Sequence, residues 1–145
     1  MIAALCRDRA WLLSEEAFIL YASCLYHPSY EKYQTQMEAF LDDPSVKVIV
    51  CEEQEKKTGM MVLQLFGPVA RVIGIAVTYK LRNRGIGTHM IQFAVESEAV
   101  ERIEAQTDDD AVGFYCSCGF HAQRIIVDYP DKSVFRYHCV LRCRS

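Results

Sequence analysis

The chain has 145 residues (16.6 kDa), 51% of them hydrophobic, with a net charge of −3 and a pI near 5.8. That size and apolar content suit one domain with a substantial core. The acidic balance gives no electrostatic case for nucleic acid or an anionic membrane as partner, and no apolar run reaches the roughly 18 residues that a membrane span needs. The seven cysteines are odd in number and show no CxxC pairing. The stretch before Arg7, Asp8 and Arg9 is too short for a signal h-region, so the thiols read as reduced and the expected location is cytoplasmic.

Residues 2–6 read as a first strand. Ser14 is placed to cap a helix over residues 14–26, with Glu15 and Glu16 at its positive end. Ala17, Phe18, Leu20, Tyr21, Cys24 and Leu25 form its apolar face, and His27-Pro28 breaks it. Ser29 begins a second helix over residues 30–41, with Tyr33, Met37, Phe40 and Leu41 inward; Asp42-Asp43-Pro44 ends it. Residues 46–52 read as a strand and residues 60–66 as its hairpin partner, joined by a charged loop that closes on Gly59. Gly67-Pro68 turns the chain into a third strand over residues 69–77. A basic, glycine-containing turn follows, then a helix to about residue 100 with Ile86, Met90, Ile91 and Ala94 on its apolar face. Next come a strand over 102–106, a short helix over 111–118 headed by Asp108-Asp109-Asp110 and ended by Gly119, and a final hairpin of strands 120–127 and 134–141. The strand–helix–strand unit around the glycine turn should be parallel and right-handed.

The glycine turn is the first stretch with a chemistry of its own. The first amides of a helix lack intrahelical acceptors and point along its axis. Glycines at 85 and 87 remove side chains that would hold an anion away, and Arg82 and Arg84 add forked cationic donors. The stretch predicts a phosphate-bearing ligand. A P-loop fails because no Lys follows Gly87, and a dinucleotide fingerprint fails because its third glycine position holds Met90. The pattern [RQ]-x-x-G-x-[GA] after a strand is matched in full by Arg82-Asn83-Arg84-Gly85-Ile86-Gly87.

Here the chain resembles the GNAT acetyltransferases, whose members bind the acetyl-CoA pyrophosphate on this turn. A second stretch, from Ala111 through Tyr115 to Gly119-Phe120, resembles the family's other signature, A-x-x-x-Y-x-x-x-G-F. The two lie in the expected order with a predicted strand between them. The resemblance implies an α/β (α+β) fold: one domain with a mixed, mainly antiparallel sheet of six to seven strands and about four flanking helices.

It also implies roles. The strand before the turn and the strand after its helix would splay apart, with pantetheine pairing to the main chain of Ile75, Ala76 and Val77. Arg82, Asn83, Arg84, Gly85, Ile86, Gly87 and Thr88 would wrap the pyrophosphate. Asp108 stands where the family often has Asn near the cofactor, and an acid cannot donate as an amide does. Tyr115 would protonate the departing CoA thiolate as general acid. Glu104, on the strand facing the presumed cleft, is the leading candidate for the base that deprotonates the amine, with Glu52 and Glu53 as rivals.

Cys116-x-Cys118-x-x-His121 matches no usual zinc spacing, so no metal is expected. The expectation is an N-acetyltransferase moving acetyl from acetyl-CoA to a primary amine of a small molecule or peptide, with a homodimer left open. The competing class is a non-catalytic acyl-CoA-binding module, which has no need of a phenol at Tyr115.

Overall fold

The computed structural model describes residues 1–143. Its elements run β1 (Ile2–Leu5), α1 (Arg9–Leu12), α2 (Glu15–Tyr21), α3 (Tyr30–Asp42), β2 (Val46–Glu53), β3 (Lys56–Phe66), β4 (Val69–Val77), α4 (Ile86–Ser97), β5 (Arg102–Thr107), α5 (Val112–Ser117), β6 (His121–Asp128) and β7 (Ser133–Arg142). Seven strands form one sheet in the order β1-β2-β3-β4-β5-β7-β6. Every neighbouring pair is antiparallel except β4 and β5.

That parallel pair decides the shape of the molecule. It holds only from Val69, Ala70 and Arg71 to Arg102, Ile103 and Glu104. Beyond those residues β4 and β5 part company. β4 also carries a bulge: Val62 faces Gly74 and Leu63 faces Val72, so Ile73 is the extra residue. Bulges bend a strand and raise its local twist, which turns the end of β4 away from its neighbour.

The sheet is covered on both faces, which explains the near-continuous apolar run of β2. Ile49 and Cys51 pack with Ile86, Met90, Ile91 and Ala94 of α4, together with Met61, Leu63, Ala70 and Ile103. Val48 and Val50 point the other way, with Met60, Val62 and Ala76, against Leu12, Ala17, Tyr21, Tyr33 and Met37 of α1 to α3. All four residues of the predicted apolar face of α4 are buried.

Three local expectations change. The helix over 14–26 is α-helical only to Tyr21 and tightens into a 3-10 turn, Ala22–Cys24. Its cap is as expected, the Ser14 hydroxyl accepting from the Ala17 amide at 3.2 Å. The short helix α1 was not expected: Asp8 accepts from the Trp11 amide at 3.1 Å, and four residues are too few to show a period. The β2–β3 hairpin turns at Gln54 and Glu55, both left-handed at φ 52° and 65°. Paired positive φ values define the tight turn that matches strand twist. Gly59 is therefore not a loop residue but lies within β3, paired with Val77.

Candidate active site

Where β4 and β5 diverge, a cleft of about 900 Å³ opens between the end of β4, the start of α4, the β5–α5 loop and α5. Among its lining residues are Ile75, Ala76, Val77, Arg82, Asn83, Gly85, Ile86, Gly87, Thr88, Asp108 and Tyr115. Two motifs 33 positions apart, from Arg82 to Tyr115, thus meet across one space.

The turn is shaped for close approach to backbone. Asn83 (φ 66°) and Gly85 (φ 83°) are both left-handed. Gly85 is the N-cap of α4 and supplies no capping side chain. The first amides of α4 therefore have no side-chain acceptor from the cap, and Ile86, Gly87 and Thr88 all border the cleft. At Gly87 an added Cβ would stand 2.8 Å from the Phe114 ring, so glycine lets α4 and α5 approach at that point.

Arg82 is fixed beside these amides. Its Nε donates to the Val77 carbonyl at 3.4 Å, and its guanidinium lies 5.3 Å from the centre of the Tyr79 ring. Arg84 is exposed and does not border the cleft.

β4 offers main-chain groups on its free edge. The Thr78 amide bonds to the Thr58 carbonyl, and antiparallel pairs alternate, so Ile75 and Val77 turn their polar groups away from β3. Two contacts agree with this: the Val77 carbonyl meets Arg82, and the Ile75 carbonyl accepts from the Cys24 thiol at 3.2 Å. Burial pushes the Cys24 thiol up from its ordinary value, so it stays a donor.

Tyr115 is buried and gripped by Phe114 and Phe120, each ring centre 5.2 Å away and close to edge-on. Burial, followed by the neighbouring Cys24, Cys139, Cys118 and Asp108, pushes its phenol well above the ordinary value. The proton is held on oxygen throughout the working range of pH. Asp108 is spent locally, its carboxylate accepting the amides of Asp110 and Ala111 at 3.0 Å each.

Glu104 does not join the cleft lining. Its carboxylate is bound by Arg102 Nε at 2.9 Å and His138 Nε2 at 3.0 Å, and only 14% of the side chain is exposed. The expectation that it faces the cleft as a free base gives way to an ion-paired group at the apex where β4 and β5 last pair. Glu52 pairs with Lys57 at 3.5 Å beside the β2–β3 turn, and Glu53 is exposed there. Neither borders the cleft.

Sequence reasoning missed Ser23, Cys24, Ile73, Gln106 and Arg136, which also line the cleft. They come from the 3-10 turn after α2, the β4 bulge, the end of β5 and β7, and no motif marks them. No group of three or more His, Cys, Asp or Glu able to hold a metal occurs among the described residues. No helix among them is long and apolar enough to cross a membrane.

A sheet that opens between its one parallel pair, with a glycine turn on one lip and a buried phenol on the other, places the chain in an acyltransferase class of folds. The sequence model of the acetyltransferase (GNAT) domain matches residues 44–122, and the chain belongs to that family. Solved structures share the architecture over nearly their whole length. An acetyltransferase of the GNAT family from Streptococcus pneumoniae superposes with a TM-score of 0.70 at 13% identity, covering 99% of each chain. An aminoglycoside 6'-N-acetyltransferase complexed with coenzyme A gives 0.76 at 11%, covering 98% of this chain and 97% of that one. The ribosomal-protein-S18-alanine N-acetyltransferase from Escherichia coli gives 0.73 at 14%, covering 99% and 96%. At such identities the likeness is one of fold. No curated protein matches the chain in sequence.

Proposed function

We propose that the protein is an N-acetyltransferase that moves acetyl from acetyl-CoA directly to a primary amine. The observation that carries this reading is the meeting of the unblocked α4 N-terminus and the protonated Tyr115 in one cleft. Acetyl-CoA supplies the activated thioester. The amides of Ile86, Gly87 and Thr88, with Arg82, hold its pyrophosphate by charge-assisted hydrogen bonds. Asn83 shapes this turn, and Arg84, in the same turn, adds charge from outside the cleft lining. The free edge of β4 at Ile75 and Val77 pairs with the pantetheine arm, while Ala76 between them bonds to β3. Tyr115 donates its proton to the thiolate as the amine displaces it.

The base is not Glu104 acting freely, since one of its oxygens is held by the Arg102 guanidinium and the other lies 3.0 Å from His138 Nε2. Water in the open part of the cleft fits the task better. The protein works in solution, where the amine comes from a small molecule or peptide.

The test has two parts. Acetyl-CoA should raise the melting temperature while ATP and NAD leave it unchanged. A panel of primary amines should then release free CoA thiol from acetyl-CoA. Stabilisation by ATP or NAD alone would sink the cofactor assignment. Binding of acetyl-CoA with no thiol release to any amine would make the chain a non-catalytic acyl-CoA-binding module.

A further inference from the structure

We propose that Arg136 anchors the acceptor and that the cleft selects amines carrying a carboxylate. This rests on the acetyl-transfer reading above and adds to it the chemistry of the acceptor. The β5–β7 register runs without a break from Arg102 facing Arg142 to Thr107 facing Tyr137. Residues Glu104, Gln106, Arg136 and His138 therefore project from one face of the sheet. Ile103, Ala105 and Cys139 project from the other, into the core beneath α4. The cofactor turn feeds α4, so Arg136 stands on the face opposite the helix whose N-terminus would hold phosphate. On its own face the helical layer of α1 to α3 packs over strands β2, β3 and β4. The part of that face built by β5 and β7 is left open toward the cleft.

Charge accounting within the cleft isolates Arg136. Its charged lining residues are Arg82, Asp108, Asp110 and Arg136. Arg82 stands beside the α4 amides and is assigned to the cofactor pyrophosphate. The Asp108 carboxylate is held by two backbone amides, and the exposed Asp110 makes no ion pair among the described residues. Glu104, an acid on the Arg136 face, is taken by Arg102 and His138. Arg136 is half-buried and makes no ion pair among the described residues. A guanidinium drawn partly out of water without a counter-charge is a ready partner for a carboxylate, which its fork meets in two parallel hydrogen bonds. Ser23, Ile73 and Gln106 complete that wall, offering small polar contacts beside one apolar one.

The experiment compares alanine with alaninamide, and a short peptide with an acidic second residue with its neutral counterpart. It measures kcat/KM for thiol release in wild type, Arg136→Gln and Arg136→Lys. The mutational change in each ratio cancels the difference in amine basicity. The carboxylate preference should fall by about ten- to a hundredfold in Arg136→Gln, mostly through KM, the scale of one charge-assisted contact. Arg136→Lys should keep part of it. The pair that shows the larger fall tells free amino acids from acidic peptides.

Calorimetric affinity for CoA should be the same in wild type and Arg136→Gln, whereas Arg82→Ala should lower it. Unchanged ratios overturn the proposal. So does weaker CoA binding by Arg136→Gln, which would assign the residue to the cofactor phosphates. If wild type binds CoA but acetylates no amine, the catalytic reading fails separately. N-acetylalanine is then titrated into the CoA-loaded protein: binding lost in Arg136→Gln upholds the carboxylate site, and equal binding removes it.

Discussion

Tyr115 and Glu104 show how surroundings assign a role to a titratable group. The Tyr115 phenol sits among aromatic rings and thiols, and burial raises its affinity for its proton. Such a group carries its proton at working pH and is present as a donor. Tyr115→Phe keeps the ring between Phe114 and Phe120 and removes only the hydroxyl. Turnover with the best amine should fall by roughly a hundredfold or more, the usual scale of general acid catalysis. The affinity for acetyl-CoA should change far less, because the loss falls on the transition state. Normal turnover in steady-state kinetics would give Tyr115 a packing role. Glu104 has the residue type of a base but lacks the freedom, because Arg102 and His138 hold its carboxylate.

Helices α4 and α5 are set by one close approach. Gly87, in the first turn of α4, lies against the Phe114 ring, and Phe114 adjoins Tyr115 on α5. A methyl group at 87 gains helix propensity of up to about 1 kcal/mol. It also overpacks the contact, a cost of about 1–3 kcal/mol. Overpacking should win, so Gly87→Ala should lower the urea midpoint and weaken acetyl-CoA binding as α5 is displaced. Gly113, inside α5, has nothing within 4 Å of an added Cβ. Gly113→Ala should raise the urea midpoint by about 0.5–1 kcal/mol equivalent, because propensity there meets no opposition. If both variants shift the midpoint in the same direction, the close approach is not what fixes these helices.

At the scale of the whole molecule, three buried phenols respond to alkali together. Burial is the leading cause that raises Tyr21, Tyr33 and Tyr115 above the ordinary value. The unfolded chain loses these protons near pH 10, and the folded chain keeps them. Above about pH 10 the folded state therefore binds more protons than the unfolded state, and stability must fall as pH rises. Below that value these groups contribute no pH dependence. The melting temperature should drop on going from pH 9 to 11. Tyrosinate absorbance should show this set ionising only as the protein unfolds. Early ionisation of all eight tyrosines in the native state would contradict the burial.

Local pattern along the chain was enough for the element order after residue 28, the apolar face of α4 and both signature motifs. Each is a local matter: a period, a cap or a glycine where a side chain cannot go. Met90 and Ile91 are buried because their spacing puts them on one side of a helix, whatever that side meets. Local reasoning failed where the partner is distant. The turn at Gln54 and Glu55 was misread because Gly59 looked like the better turn residue, yet pairing with β4 holds Gly59 in the sheet. Glu104 looked free because its strand was expected to face the cleft, but Arg102 shares its face of β5 and His138 arrives only through β7. The cleft was legible as a motif and not as a space. Cys24 on the Ile75 carbonyl, the Ile73 bulge and Arg136 on the open face all depend on strand register and on where β4 leaves β5. Register is set by the packing of both faces at once, so only the tertiary structure decided which side chains the cleft would hold.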